Sequence, residues 1–370
     1  MRVDFRVKGK CHLSALLFLV ACDSSARRYG EELLFLDDWV TVAEVGVFDG
    51  RAEEVFGSIR DVMFWETGAF AVLDRTALTT RVIGFDAKGR YRYTLGRSGP
   101  GPNEFIDATA LIRIADDSLA VINRGSRTLQ VFVRNGAYVF GEAARLTLPF
   151  FPEDGCAMNG RIFLLGGMGG RAIHEIDRTG AVVNSFSESD FGGTISEDEP
   201  RAVAWAVRDQ AQGGYLKCAA EVGMVIHVPY ELGWLRAYKT NGSVAWHSSL
   251  NGFVKTRIVP AIGGSGAIKT AFDPNFNFSH TILGVAVLRG RSLVISVGLN
   301  VPRGQTPTEK GWLVLCELES GRETGRQEFA GVAIAGAGDR LALVYENFFP
   351  MLTILHGPLS LRRTDSETGK

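Results

Sequence analysis

The sequence predicts an all-β protein, a six-bladed β-propeller with four strands in each blade. Four stretches share one pattern: an apolar or aromatic residue, three mostly polar residues and then glycine, each after a β-like run. They are Phe85 to Gly89, Phe132 to Gly136, Ile176 to Gly180 and Tyr238 to Gly242. Successive stretches are 47, 44 and 62 residues apart, which is typical of propeller blades. No long segment has a 3.6-residue apolar period, so we expect little helix.

Six apolar runs can be aligned as copies of one strand. Phe70–Arg75 matches Leu119–Arg124, and Leu341–Glu346 fits the same pattern near the carboxyl end. Weaker copies are Ile162–Leu165, Val225–Val228 and Leu293–Val297. We interpret these runs as inner strands covered on both faces, because they are almost continuously apolar. Six copies predict six blades, with five or seven as alternatives.

The ends of the chain are predicted to meet in one blade. Trp39–Phe48 has strand-like composition and precedes the first recognised blade, while little strand follows the last copy. We therefore expect this early strand to complete the final blade and leave no long free edge. One propeller domain is assigned to residues 33–361, with a tail at 362–370.

Composition supports a globular fold rich in turns. The 370 residues include 44 glycines and 12 prolines, and 22% of them are charged. The formal net charge of −1 offers no basic surface for nucleic acid, so no nucleic-acid partner is expected.

The first residues have the pattern of an export signal. Arg2, Arg6, Lys8 and Lys10 precede the apolar run Cys11–Ala21, which is about half the ~20 residues that a membrane-spanning helix needs. Leu19-Val20-Ala21-Cys22 resembles the bacterial lipobox. The resemblance implies cleavage after residue 21, lipidation of Cys22 and a tether at 22–32. A plain secretory signal or a buried strand is the alternative.

The resemblance to lipoproteins also implies a location. The protein would be lipid-anchored in the cell envelope, on the periplasmic side of the inner or outer membrane or on the cell surface. It would contact the membrane only through the anchor.

Three cysteines follow Cys22 in the mature chain, namely Cys156, Cys218 and Cys316. An exported protein can form disulfides, but three cysteines cannot all pair with one another, and no metal-binding spacing is present. A disulfide between two of them is one alternative, and we favour the interpretation of all three as small buried apolar side chains.

Gly96–Phe105, with the sequence GRSGPGPNEF, is the most unusual local motif. A phosphate-binding loop is excluded because no Gly-Lys-Ser/Thr occurs and Pro100 and Pro102 interrupt the run. We expect a tight connection from the outer strand of one blade to the next blade.

This segment and the strands after it resemble the NHL-type six-bladed propellers. The matching residues, over roughly 59–140, are Gly96, Gly99, Gly101, Phe105, Leu119, Val121, Asn123, Leu129, Val131, Phe132 and Gly136. The resemblance implies a fold rather than an activity.

Candidate ligand-binding residues follow the apolar runs, where propeller loops converge around the central channel. They are Asp74, Arg75, Asn123, Arg124, Tyr345 and Glu346. Arg75 and Arg124 offer planar donor groups for anions on adjacent blades. Asp74 and Asn123 are expected to cap blade turns through side-chain hydrogen bonds.

The main functional prediction is a non-catalytic lipoprotein that binds a protein, peptide or glycan on one propeller face. No cofactor is expected, and no catalytic residues are assigned. The alternative is a metal-dependent hydrolase or lyase, because six-bladed lactonases resemble this fold and hold a divalent cation at the channel. In that case Ca²⁺ would bind Asp74 and Asn123, with Glu346 one position out of register.

Overall fold

A computed structural model describes residues 36, 38–188, 213–260, 268–271, 278–289, 292–301, 311–346 and 349–357. Almost all regular structure in these residues is β-strand, with one 3-10 turn at Arg124–Ser126. Among them, no helix is long and apolar enough to cross a membrane. The predicted signal peptide, the tether with Cys22, and the tail at 362–370 lie outside the described residues.

Six four-stranded antiparallel sheets form the blades. The first strand, β1 (Val40–Val45), belongs to the sixth blade. Blade 1 contains β2 (Ile59–Phe64), β3 (Phe70–Arg75), β4 (Thr80–Phe85) and β5 (Tyr91–Leu95). The short strands β6 (Arg97–Ser98) and β7 (Glu104–Phe105) lie in the connection to blade 2. Blade 2 contains β8 (Ala108–Ala115), β9 (Ser118–Asn123), β10 (Thr128–Arg134) and β11 (Phe140–Thr147).

The other blades follow the same plan. Blade 3 contains β12 (Asp154–Met158), β13 (Arg161–Met168), β14 (Arg171–Ile176) and β15 (Val182–Glu188). Blade 4 contains β16 (Gly214–Ala219), β17 (Met224–Pro229), β18 (Trp234–Lys239) and β19 (Val244–Ser249). A separate hairpin pairs β20 (Arg257–Pro260) with β21 (Ile268–Ala271). Blade 5 contains β22 (Ser279–Leu288), β23 (Ser292–Asn300), β24 (Trp312–Glu317) and β25 (Glu323–Glu328). Blade 6 contains β26 (Val332–Ala337), β27 (Arg340–Glu346) and β28 (Pro350–His356), with β1 outermost.

The six blades close into a ring. The first strand of each blade (β2, β8, β12, β16, β22 and β26) contacts the first strand of the next, and β26 contacts β2. These innermost strands surround a central channel. The prediction of a six-bladed propeller is confirmed.

The early strand closes the ring as predicted. β1 pairs antiparallel with β28, with Val40 opposite His356 and Val45 opposite Leu352. Ala43 and Val45 are buried, whereas the residues between and before them are exposed. One face of this outer strand therefore packs on the blade and the other meets solvent.

The aligned apolar runs occupy a different place from the one predicted. Phe70–Arg75 and Leu341–Glu346 lie in β3 and β27, and Leu119–Asn123 lies in β9 with Arg124 directly after it. These are the second strands of their blades rather than the innermost. A second strand has partners on both edges and neighbouring blades on both faces, so it is apolar throughout. The innermost strands line the channel and carry polar residues there.

Six apolar clusters lie between neighbouring blades, one at each of the six interfaces. Phe70, Leu119, Phe163, Ile226, Leu293 and Leu341 are examples of fully buried residues in them. Each blade therefore buries apolar side chains against both of its neighbours.

The glycine-rich segment connects β5 to β8, as predicted. Gly96 and Gly99 have φ of +78° and +150°, which glycine adopts readily. A Cβ at Gly96 would lie 2.0 Å from the ring of Phe105, and one at Gly99 would lie 2.2 Å from Oε2 of Glu104. Phe105 is buried between blades 1 and 2. The spacing of the motif thus lets Phe105 fold back over Gly96.

Two cysteines form a disulfide, which corrects the interpretation of all three as free apolar side chains. Cys156 in β12 is bonded to Cys218 in β16, with the two Cα atoms 5.5 Å apart. They are 62 residues apart in sequence, and only the adjacency of two innermost strands brings them together. Cys316 is free and buried, and burial raises the pKa of its thiol to about 12.

Candidate functional site

All innermost strands run in the same direction through the ring. We call the end where they begin, near Ile59, Ala108 and Asp154, the upper face, and the opposite end the lower face. The carboxyl ends of β3, β9 and β27 also lie at the upper face, because these strands are antiparallel to the innermost ones.

A cavity of about 470 Å³ opens in the channel at the upper face. Its charged lining residues are Arg60, Asp61, Arg75, Asp107, Arg124, Glu153, Asp154 and Lys217. Tyr215 and Tyr230 contribute aromatic surface, with ring centroids 5.1 Å apart and a perpendicular orientation. The innermost strands of four blades and the loops before them supply most of this lining, and Arg75, Arg124 and Tyr230 come from the carboxyl ends of second strands. The cavity therefore depends on closure of the ring.

Arg75 and Arg124 converge on one carboxylate at the cavity. Nε and Nη2 of Arg124 lie 2.8 and 2.7 Å from Oδ2 of Asp107. Nη1 of Arg75 lies 3.2 Å from Oδ1 of Asp107. Both arginine side chains remain nearly half exposed. Two arginines with five donors each share a carboxylate, which leaves donors available to a further anion.

Asp74 and Asn123 hold the backbone behind this cavity. The Oδ1 of Asp74 accepts from the backbone N–H groups of Gly57 and Ser58 at 2.9 and 3.2 Å. The Oδ2 of Asp74 accepts from Nη2 of Arg81 at 3.0 Å. Asn123 Oδ1 accepts from Ile106 N–H at 2.7 Å. Both side chains are buried, and neither residue lines the cavity.

These bonds bear on the calcium alternative. Asp74 uses both oxygens for backbone amides and an arginine, so binding a cation there would require breaking several bonds. Within the described ranges, no group of three or more His, Cys, Asp or Glu residues is arranged to hold a metal ion.

Tyr345 lies apart from the arginines. Its ring packs against Phe329, with centroids 5.8 Å apart, and it does not line the upper cavity. Burial raises the pKa of Tyr345, with a smaller contribution from the charge of Glu44. Glu346 ends β27, and its side chain lies outside the described part of the protein.

Three charged residues of the innermost strands line the floor of the cavity, and sequence reasoning missed them. Asp61 and Asp154 each accept a backbone N–H from the next blade, from Leu111 at 2.7 Å and Leu216 at 2.8 Å. Nζ of Lys217 lies 3.4 Å from Oδ2 of Asp154. The available signal was a charged residue within a short, mainly apolar strand.

The pKa values of these groups show their coupling. Burial raises the pKa of Asp61 to about 6, the negative Asp154 adds to the increase, and Lys217 opposes it. Burial lowers the pKa of Lys217, but the two carboxylates outweigh burial and the net direction is upward. Lys217 is therefore an ammonium donor and not a nucleophilic amine.

The tyrosines are also hydrogen-bond donors. The hydroxyl of Tyr215 donates to the carbonyl of Leu283 at 2.5 Å. Burial is the main cause that raises the pKa of both Tyr215 and Tyr230, so both phenols stay protonated. The O–H of Tyr215 is used by Leu283, so the donors that suit binding of a polar ligand are the arginines, the Lys217 ammonium and the Tyr230 phenol.

The fold and cavity define a six-bladed β-propeller with a polar channel mouth. No family model matches the chain, and no curated protein sequence matches it. Several solved structures are similar to it. A member of the DUF4221 family from Bacteroides vulgatus is similar with a TM-score of 0.53 and 10% identity, over 86% of this chain and 97% of that one.

Two further structures are similar over most of their length. A protein described as exported, from Bacteroides fragilis, has a TM-score of 0.55 and 10% identity, over 86% of this chain and 94% of that one. Virginiamycin B lyase from Staphylococcus aureus has a TM-score of 0.47 and 11% identity, over 85% of this chain and 98% of that one. At such identities the similarity to the two Bacteroides proteins shows the fold alone.

Proposed function

We propose that this propeller is a non-catalytic binding protein of the bacterial cell envelope, and that its upper cavity holds an acidic group of a protein, peptide or glycan. The observation that carries the proposal is the convergence of Arg75 and Arg124 on Asp107. Planar guanidinium groups recognise carboxylates and phosphates through paired hydrogen bonds.

The distribution of charge supports an anion at the mouth of the cavity. Arg60, Arg75 and Arg124 face Asp107 and Glu153 there, which leaves one positive charge in excess. Arg60 is exposed and makes no ion pair with the described residues. At the floor, Asp61 and Asp154 face only Lys217. The acidic group of a ligand would therefore lie at the mouth rather than the floor.

Anchoring through Cys22 belongs to the same proposal. It is supported by the basic segment, the apolar run and the Leu19–Cys22 motif. The Cys156–Cys218 disulfide agrees with export, because disulfides persist in oxidising compartments. One similar structure is of a protein described as exported.

A charge-matched peptide pair tests the binding site. Binding of an oligoglutamate peptide and an oligoglutamine peptide would be measured by calorimetry at physiological salt. We expect only the acidic peptide to bind, and the double variant Arg75→Ala/Arg124→Ala to weaken binding about tenfold or more, since charge-assisted bonds are lost.

The control removes two arginines from the lower face, Arg178→Ala/Arg322→Ala, and leaves the upper cavity intact. It should bind like the wild type, because the net charge changes equally in both double variants. Equal weakening in the two variants would show a nonspecific charge effect and reject the proposed site. Equal binding of the two peptides would reject it as well.

A further inference from the structure

A second cavity, of about 380 Å³, lies at the lower face between blades 1 and 2. Three hairpin turns surround it, at residues 65–69, 86–90 and 135–139. It shares no lining residue with the upper cavity.

One side of the lower cavity is aromatic. The rings of Trp65 and Phe140 are stacked with centroids 6.0 Å apart, and Tyr93 lies 4.7 Å from Phe140. Tyr138 is 40% exposed at the rim, with the guanidinium of Arg92 5.1 Å from its ring centroid. Packing among these rings gives the cavity a firm apolar wall.

The other side is strongly cationic. Lys88, Arg90, Arg92 and Arg134 line the cavity, and the one acidic residue among its described lining residues is Asp86. Oδ2 of Asp86 lies 2.7 Å from Nε of Arg90 and 2.5 Å from Nη2 of Arg92. Four cations facing one carboxylate leave an excess of positive charge.

Asp86 stays ionised in this setting. Burial would raise its pKa, but the backbone N–H groups of Arg90 and Lys88 and the guanidinium groups of Arg90 and Arg92 outweigh burial and lower it. The carboxylate therefore orients the two arginines without cancelling the charge of the cluster.

One buried polar atom of the lining, Nε of Arg92, has no hydrogen-bond partner among the described residues, whereas the Tyr93 hydroxyl has the indole of Trp65 as a partner. Tyr93 is only 9% exposed, and burial raises the pKa of its phenol to about 12. Buried polar groups are nearly always paired in native proteins, with protein, water or a ligand. Nε of Arg92 is a donor, so an anion that reached it would satisfy it.

We propose that the lower cavity is a second binding site and takes a sugar ring bearing a carboxylate, phosphate or sulfate. The charged substituent would lie among Lys88, Arg90 and Arg92, and the ring against Tyr138 and Phe140. The volume fits a small ring compound. A neutral sugar would leave the cation cluster without a counter-charge.

The test compares glucuronate, glucose, inorganic phosphate and a glucuronate-containing oligosaccharide, by calorimetry and by amide chemical shifts of the intact protein. We expect saturable binding of glucuronate with shift changes in residues 86–92 and 135–139, and none for glucose. If the oligosaccharide binds more tightly than free glucuronate, the natural ligand belongs to an envelope glycan. If the two bind equally, the natural ligand is a free sugar acid.

Surface variants separate binding from folding. Lys88→Ala/Arg90→Ala should weaken glucuronate binding about tenfold, because two charged donors are removed. Tyr138→Ala should weaken glucuronate more than phosphate, because only glucuronate has a ring to place against it. Arg178→Ala/Arg322→Ala, on the equivalent hairpins of blades 3 and 5, removes the same number of charges and is the matched control, which should bind like the wild type.

Several results would overturn the proposal. One is that glucose binds as tightly as glucuronate. Another is that Lys88→Ala/Arg90→Ala binds glucuronate as tightly as the wild type does. The third is that Tyr138→Ala changes the affinity for neither glucuronate nor phosphate. The upper-face variants leave these residues untouched, so the two proposed sites can fail independently.

Discussion

Lys217 is a single residue that balances the charge of two buried carboxylates in the channel. Its ammonium group lies beside Asp154 in the innermost strand of the adjacent blade, and its charge also lowers the pKa of Asp61. Both carboxylates are buried, and each accepts a backbone N–H from the next blade. Asp61 thereby links blade 1 to blade 2, and Asp154 links blade 3 to blade 4. Breaking a buried ion pair on one side leaves the other charge uncompensated, which is strongly destabilising.

We expect Lys217→Met to lower the free energy of unfolding by about 3–5 kcal/mol at pH 8 and by clearly less at pH 5. Asp61 has a pKa of about 6 in the folded protein and a lower one when unfolded. The stability that it contributes is therefore complete below its unfolded pKa and is lost as pH rises through 6. In Lys217→Met no ammonium group stabilises the ionised Asp61, so its ionisation at pH 8 lowers the free energy of unfolding more than it does in the wild type.

Urea unfolding at the two pH values measures this difference. The control is Lys239→Met, at an exposed lysine in the same blade. A loss that is the same at pH 5 and pH 8 would show that the charge of Asp61 plays no part.

Strand β1 is the element that closes the ring. It supplies the outer edge of blade 6 through pairing with β28, while the other three strands of that blade come from the opposite end of the chain. Ala43 and Val45 belong to the apolar cluster between blades 6 and 1. The strand thus joins residues that are about as far apart as the chain allows, and its pairing must overcome a large loop-closure entropy.

Ala43→Asp should weaken this closure, because it places a carboxylate in the apolar cluster. We expect a loss of several kcal/mol in the free energy of unfolding, and faster amide exchange in β28 than in β9. Val40→Asp, at an exposed position of the same strand, is the control and should have little effect. Equal effects of the two variants would mean that β1 does not close the ring by burying its inner face.

The whole molecule is a ring of six similar interfaces, and one of them has a covalent bond. The Cys156–Cys218 disulfide joins the innermost strands of blades 3 and 4, in the wall of the channel. A crosslink restricts the unfolded chain, and in the chain-entropy account its contribution grows with the length of the closed loop.

Removing the disulfide by Cys156→Ala/Cys218→Ala should lower the free energy of unfolding by about 4 kcal/mol for a closed loop of 62 residues. Reductant should lower the stability of the wild type towards that of the variant and should not affect the variant. Urea unfolding with and without reductant measures both effects. If wild-type protein that was unfolded in the presence of reductant were as stable as untreated wild-type protein, the disulfide would be contradicted.

Much of the fold could be predicted because its signals are local. The glycine of each repeated turn closes the hairpin between the third and fourth strands of blades 1–4, and Gly89, Gly180 and Gly242 have φ near +80°. Phe105 and Gly96 lie in one short segment. The position of each apolar run within its blade was assigned wrongly, because burial on both faces looks the same in a first or a second strand.

The candidate site was only partly predictable. Arg75 and Arg124 were singled out from their equivalent positions in two blades, and the structure brings them together on Asp107. Tyr345 occupies the position equivalent to Asp74 and Asn123, but its ring packs between blades instead of holding a turn. Lys217 was missed because a single lysine in a strand does not show what it faces.

The sequence by itself determined that the described chain is built from repeated four-stranded units and that its first strand completes the last unit. Strand alternation, turn glycines and repeat length act over a few tens of residues, so they can be read from order alone. Only the tertiary structure decided which polar residues share the channel, which cysteines meet and where the two cavities lie. Those contacts join residues of different blades, and ring closure sets the distances between them.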